Sequence, residues 1–273
     1  MSSLMQRLLT AVVLIPIVVW VVLFAPERFF LVVASVIVLV AAYEWTALSG
    51  VLNKSHKILL ASLMLGFGHV LLLLDTQFLS GFLLASLVFW LFVVLLIVAR
   101  PKQLLEMQQR PVLMLLLGHV LLGLTLVSLY LLRHSFALGA ELLMYLLLLI
   151  WIADSGAYFA GRALGARKLS AIISPGKSIE GVVGGLLTCL LFAVFMAGYF
   201  EVANALGFIG LSLLVVLISV YGDLFESLLK RRAKVKDSGN ILPGHGGMLD
   251  RIDSLIAAAP VFAASLLLTE VLS

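Results

Sequence analysis

The chain has 273 residues, of which 63% are apolar and 12% charged, against roughly 45–50% and about 25% in an average soluble domain. With a mean hydropathy of +1.21, a water-soluble globule could not hide this much apolar surface, which excludes a cytosolic enzyme, a secreted disulfide scaffold and a disordered chain. An integral membrane protein remains, and at about 20 residues per spanning helix its length leaves no room for a large soluble domain.

Nine apolar stretches follow one another at 8–25, 29–48, 58–74, 78–99, 112–132, 141–161, 180–200, 206–229 and 253–272, separated by short polar or Pro/Gly segments. Backbone groups in lipid must be paired internally, so helix is the expectation for each. None shows the polar/apolar alternation of barrel strands. Arg7 and the first stretch resemble a signal peptide, but the run exceeds the usual apolar core of about 7–15 residues and no small-residue cleavage site follows. It reads as an uncleaved first span. The single cysteine, Cys189, lies in an apolar run, so no intrachain disulfide can form. The predicted fold class is an all-α polytopic integral membrane protein with about nine transmembrane helices.

The net charge of +4 matters less than its placement. The N-terminus and the 2–3, 4–5, 6–7 and 8–9 connections carry Arg7, Lys54, Lys57, Arg100, Lys102, Arg110, Arg162, Arg167, Lys168, Lys177, Lys230, Arg231, Arg232, Lys234, Lys236 and Arg251, which is 16 of the 18 Lys and Arg. Only Arg28 and Arg133 fall on the other side. The positive-inside rule then predicts a cytoplasmic N-terminus and an external C-terminus. Polar side chains are sparse early and concentrate later, dividing the chain into an N-terminal bundle, 1–140 (spans 1–5), and a catalytic region, 141–273 (spans 6–9).

Three clusters in the second region carry chemistry. The first is Asp154-Ser155-Gly156-Ala157-Tyr158 in span six. An intramembrane carboxylate is costly and faces protein or water; helix–helix hydrogen bonding is its plainer use. The second is the 6–7 connection with Arg167-Lys168 and Ser174-Pro175-Gly176-Lys177-Ser178-Ile179-Glu180-Gly181. A P-loop would need glycine at 171, where Ala171 stands, and a preceding strand, which the pattern does not show. Ser174-Pro175 reads instead as an N-cap followed by proline, opening span seven. Its free N–H groups and Lys177 would form an anion site, although an ordinary basic loop accounts for the same residues.

The third cluster runs from Gly222 to Asp253. Asp223 and Glu226 share one helix face by their spacing, and Asp250 and Asp253 repeat it at the start of span nine. Carboxylates of this kind bind Mg²⁺ with phosphates and waters completing the shell. Lys230, Arg231, Arg232, Lys234 and Lys236 can neutralise a polyphosphate, and Gly239, Gly244, Gly246 and Gly247 let backbone approach a ligand. Singly, each has a structural use: topology for the basic run, a turn hydrogen bond for His245, an Asp250–Arg251 pair, a Glu226–Lys230 pair. Together they point to a site.

The run Ser227-x-Leu229-Lys230-Arg231, Lys236-Asp237-x-Gly239, Leu242-Pro243-x-His245-Gly246-Gly247-Met248-x-Asp250-Arg251-Ile252-Asp253 resembles the signature of phosphatidate cytidylyltransferases, or CDP-diacylglycerol synthases. The two earlier clusters are similar to segments of that family. The strong resemblance covers about the last 120 residues. It implies a reaction of CTP with phosphatidic acid giving CDP-diacylglycerol and pyrophosphate, at the cytoplasmic face of a bacterial inner membrane. It also implies Mg²⁺, with a second cation as an option. Under it Asp223, Asp250 and Asp253 are expected as metal ligands and, with Lys230 and Arg231, as the catalytic group. Lys177, Ser174, Ser178, Lys236, Asp237, His245, Gly246, Gly247, Arg251 and Asp154 are expected to bind substrate. The expected partners are CTP, phosphatidic acid and membrane lipid, with no nucleic acid and a homodimer left open. A CTP-dependent polyprenol kinase and an anionic-solute transporter are the competing readings. The clusters gather on one side rather than at the midplane, and no inverted repeat shows, which counts against transport.

Overall fold

A computed structural model describes residues 3–108, 110–241 and 246–268. Within them the elements, numbered in chain order, are α1 (Ser3–Leu23), α2 (Glu27–Leu48), α3 (Lys54–Leu71), α4 (Thr76–Ala99), α5 (Pro101–Glu106), α6 (Pro111–His134), α7 (Gly139–Leu164), β1 (Lys168–Ser170), β2 (Ser174–Ser178), α8 (Ile179–Tyr199), α9 (Ala205–Arg232) and α10 (Leu249–Leu268). Among the described residues, each of the nine apolar stretches lies largely in its own helix, and α5 is a short turn of helix started by Pro101. Seven helices among the described residues are long and apolar enough to cross a membrane: α2, α4 and α6 to α10. The protein is therefore a helical polytopic membrane protein.

The chain forms two compact units that interleave in sequence, one of Met1–Leu74, Gln108–Met144 and Leu229–Asp253, the other of Asp75–Met107, Tyr145–Leu228 and Ser254–Ser273. In the first, α2, α3 and α6 pack on one another. Lipid supplies no hydrophobic drive between helices, so small residues that allow close approach matter. Gly118 of α6 lies under the Trp45 indole and Gly123 under Phe67, leaving no room for a methyl group at either position. The indole N–H of Trp45 donates to the Met114 carbonyl at 2.8 Å, so its one polar group is satisfied in the core. At the other end of this bundle Arg133 donates to the Val22 carbonyl at 2.6 Å, and the Tyr130 hydroxyl donates to Glu27. The start of α2 and the end of α6 thus share one end, as the placement of Arg28 and Arg133 expects.

In the second unit α7 and α8 touch through their backbones. Gly156 faces Thr188 and Gly184, and Gly185 faces the Ala153 carbonyl. The Cys189 thiol donates to the Leu149 carbonyl at 3.3 Å across the same contact. Tyr145 is buried between Phe192 and Phe208, with ring centroids 5.3 and 5.2 Å away, and its hydroxyl meets that of Ser212 at 2.6 Å. Phe225 of α9 packs edge-on against Trp90 of α4.

The 6–7 connection departs from the all-helical expectation. β1 and β2 pair antiparallel, Lys168 opposite Ser178 and Ser170 opposite Ser174. Span seven therefore does not open at Ser174-Pro175, which lie in β2. It opens one strand later, with Ser178 as N-cap accepting from the Gly181 N–H at 3.1 Å. Strand pairing across the turn satisfies backbone groups that local sequence alone would have assigned to a helix start. Glu180 binds the hairpin to the helix: it takes the Ala166 and Arg167 N–H groups at 3.1 Å and the Arg167 guanidinium at 2.9 Å.

Candidate active site

The site residues are held in two groups, one in each unit. In the second unit β2 carries Lys177 to α9. Its ammonium lies 2.7 Å from Asp223 Oδ2, with the two side chains 25% and 30% exposed, and 3.4 Å from the Val220 carbonyl oxygen. Asp223 Oδ1 accepts from the Ser227 hydroxyl, one turn along, at 3.2 Å. Gly176-Lys177-Ser178 thus belongs to a strand rather than to a loop after one. The strand expected to be missing is present, but Lys177 is committed to Asp223 and Ser178 to capping, which is not P-loop geometry.

In the first unit the last turn of α9 meets the first turn of α10. Lys230 Nζ lies 2.6 Å from Asp250 Oδ1, and these side chains are 14% and 6% exposed. Asp250 Oδ2 accepts the Ser238 N–H at 3.0 Å and the Gly247 N–H at 2.8 Å. One carboxylate therefore holds a cation and both ends of the glycine loop. Gly246 has φ +83°, a conformation that excludes most side chains there. Arg231, Lys236, Asp237 and Arg251 are exposed and Asp253 is half-buried. Gly244 and His245 lie outside the described residues.

A further acid enters this group. Glu44, in the C-terminal third of α2 and 5% exposed, accepts from the Ser238 hydroxyl at 3.1 Å, the Met248 N–H at 3.0 Å and the Leu249 N–H at 2.7 Å. Its place outside the three polar clusters does not single it out in the sequence. The available signal was the same one used for Asp154, a carboxylate inside an apolar stretch. Asp154 itself lies exposed on α7.

The Cytidylyltransferase family model matches residues 5–269. The chain belongs to this family. It is 38% identical over 279 residues to a phosphatidate cytidylyltransferase of Haemophilus influenzae, covering 94% of this chain and 96% of that protein. It is 38% identical to one of Pseudomonas aeruginosa, covering 96% of each, and 36% identical to one of Brucella suis, covering 95% of this chain and 92% of that protein. The match to the family extends through the first 140 residues, which by residue pattern alone are only an apolar bundle.

The donors present fit Mg²⁺. Asp223 offers hard oxygen atoms that are partly accessible, whereas three of the acceptor positions of Asp250 are already filled. No three His, Cys, Asp or Glu side chains gather as a metal cage among the described residues. Mg²⁺ needs no such cage, because it is commonly held by one or two carboxylates together with substrate phosphates and waters.

Proposed function

We propose that this protein is a membrane nucleotidyltransferase that makes CDP-diacylglycerol and pyrophosphate from CTP and phosphatidic acid. Similarity to phosphatidate cytidylyltransferases over nearly the whole chain carries this reading. The chemistry of the site agrees. The attacking group is a phosphate monoester, already anionic near pH 7 because its second pKa is about 6, so no strong general base is required. The obstacle is repulsion between that anion and the triphosphate. Lys177 and Lys230 are aimed cations, each held by an aspartate, and an arriving phosphate can draw the ammonium from its carboxylate. Lys230, Arg231 and Lys236 are assigned to the CTP triphosphate, and Lys177 with the start of α8 to a substrate phosphate, the lipid's in our assignment. Ser174, Ser178, Asp237, His245, Gly246, Gly247, Arg251 and Asp154 complete the proposed substrate-binding set. The metal ligands are proposed as Asp223 chiefly, then Asp250 and Asp253. When bound, Mg²⁺ would screen the triphosphate and stabilise the leaving pyrophosphate.

The deciding experiment gives the purified protein in detergent Mg²⁺, phosphatidic acid and CTP labelled in the cytosine. Label should enter the lipid with one pyrophosphate released per turnover. Phosphate transfer without the base would make the protein a CTP-dependent lipid kinase, and binding without turnover would favour a transporter.

The finer topology belongs to the same proposal: nine spans in a bacterial cytoplasmic membrane, N-terminus and site on the cytoplasmic side, C-terminus external. It is supported by the charge split and by α1 and α3, which hold most of the two remaining apolar stretches. A cysteine placed at Ser273 should react with a membrane-impermeant reagent from outside, and one at Gly244 only from the cytoplasm. Labelling of both from one side would remove the nine-span arrangement.

A further inference from the structure

We propose that Glu44 is a positioning residue for the nucleotidyl transfer: it clamps the base of the glycine loop so that Asp250 is free to hold Lys230. The inference rests on the reaction proposed above. A carboxylate buried within a helix is costly unless it is paired, so local preference does not explain an acid at this place in α2. Its partners do. They come from both ends of the loop, Ser238 at the beginning and Met248 and Leu249 at the end, and all converge on this one carboxylate. Leu249 is the first residue of α10, so Glu44 supplies, from a distant part of the chain, the negative charge that a helix N-terminus favours.

The division of labour with Asp250 follows. The Gly247 N–H goes to Asp250, and the next two go to Glu44. Without Glu44 the Met248 and Leu249 N–H groups would be open. Asp250, one residue beyond, already accepts the neighbouring Gly247 N–H, and rotation towards the two open groups would take it from Lys230. The glycines report the same clamp. A methyl group at Gly239 would strike the Glu44 carboxylate, and one at Gly247 would strike both that carboxylate and the Ser238 hydroxyl. Their lack of a side chain thus admits a carboxylate of the protein itself.

The test is steady-state kinetics on E44Q, G239A and E44D/G239A in mixed micelles, with hydrogen exchange followed at 238 and 247–249. E44Q places an amide donor against N–H donors. It should lower kcat/KM for CTP by about 100-fold, the scale of a displacement near 1 Å, leave the KM for phosphatidic acid unchanged, and speed exchange at those amides. G239A should show the same pattern with Glu44 intact. Shortening the acid makes room for the added methyl group, so E44D/G239A should recover most of the activity lost in G239A. Equal losses for both substrates, or no recovery in the double variant, would overturn the proposal, as would fast exchange with unchanged kinetics. If E44Q does not fold, the comparison of G239A with E44D/G239A decides. Should the wild-type protein make no CDP-diacylglycerol, the proposed reaction fails on that result alone, and slow exchange in the wild type against fast exchange in E44Q still decides whether the clamp exists.

Discussion

Asp223→Asn is expected to lower turnover by about 100-fold or more, equivalent to about 3 kcal/mol of lost transition-state stabilisation. The carboxylate faces Lys177 at 2.7 Å. Its loss removes the proposed main metal ligand and leaves the ammonium without its counter-charge. Asp223→Glu keeps the charge but shifts it by a methylene, and should retain more activity at raised Mg²⁺. Two readouts separate this from a structural defect. The thermal midpoint should fall only modestly, because both partners are partly exposed and such pairs contribute little to stability. The Mg²⁺ concentration for half-maximal activity should rise. Near-normal turnover with unchanged Mg²⁺ dependence would remove Asp223 from the site.

The second large effect separates stability from catalysis at the other pair. Lys230 and Asp250 are both largely buried. Removing one partner of a buried pair leaves an uncompensated charge and costs about 3–5 kcal/mol, whereas replacing both by neutral groups of similar size is often close to neutral. Lys230→Met should therefore destabilise clearly, at the low end of that range because Asp250 keeps two backbone N–H donors. Asp250→Asn should destabilise as well, since it also disturbs those N–H contacts. The double variant should recover much of the thermal stability, a positive coupling of the kind expected for residues in contact. Its activity should stay lost, because the cation proposed for the triphosphate is gone. Recovery of activity with stability would show the pair to be structural and would remove Lys230 from the nucleotide.

The two lysine–aspartate pairs also show where local spacing stops being informative. Along the chain, Arg251 is the natural partner for Asp250, one residue away. The observed Lys230–Asp250 pair spans 20 residues, and Lys177–Asp223 joins a strand to a helix. Which acid meets which base depends on where the loop returns the chain. No helical periodicity encodes that.

The helices themselves were legible because the bilayer imposes both a length and full internal hydrogen bonding, and among the described residues each apolar stretch lies largely in a helix. The candidate site stands out in the sequence because acids, cations and glycines concentrate within Gly222–Asp253. The hairpin was not, since strand pairing depends on a partner several residues away and Ser174-Pro175 is locally a good helix start. Glu44 was not, because its partners lie 194 to 205 residues on. Sequence alone thus determined what the membrane and the chemistry demand of each segment. Tertiary structure decided the pairings, because a buried carboxylate takes whichever donors the packed helices bring to it.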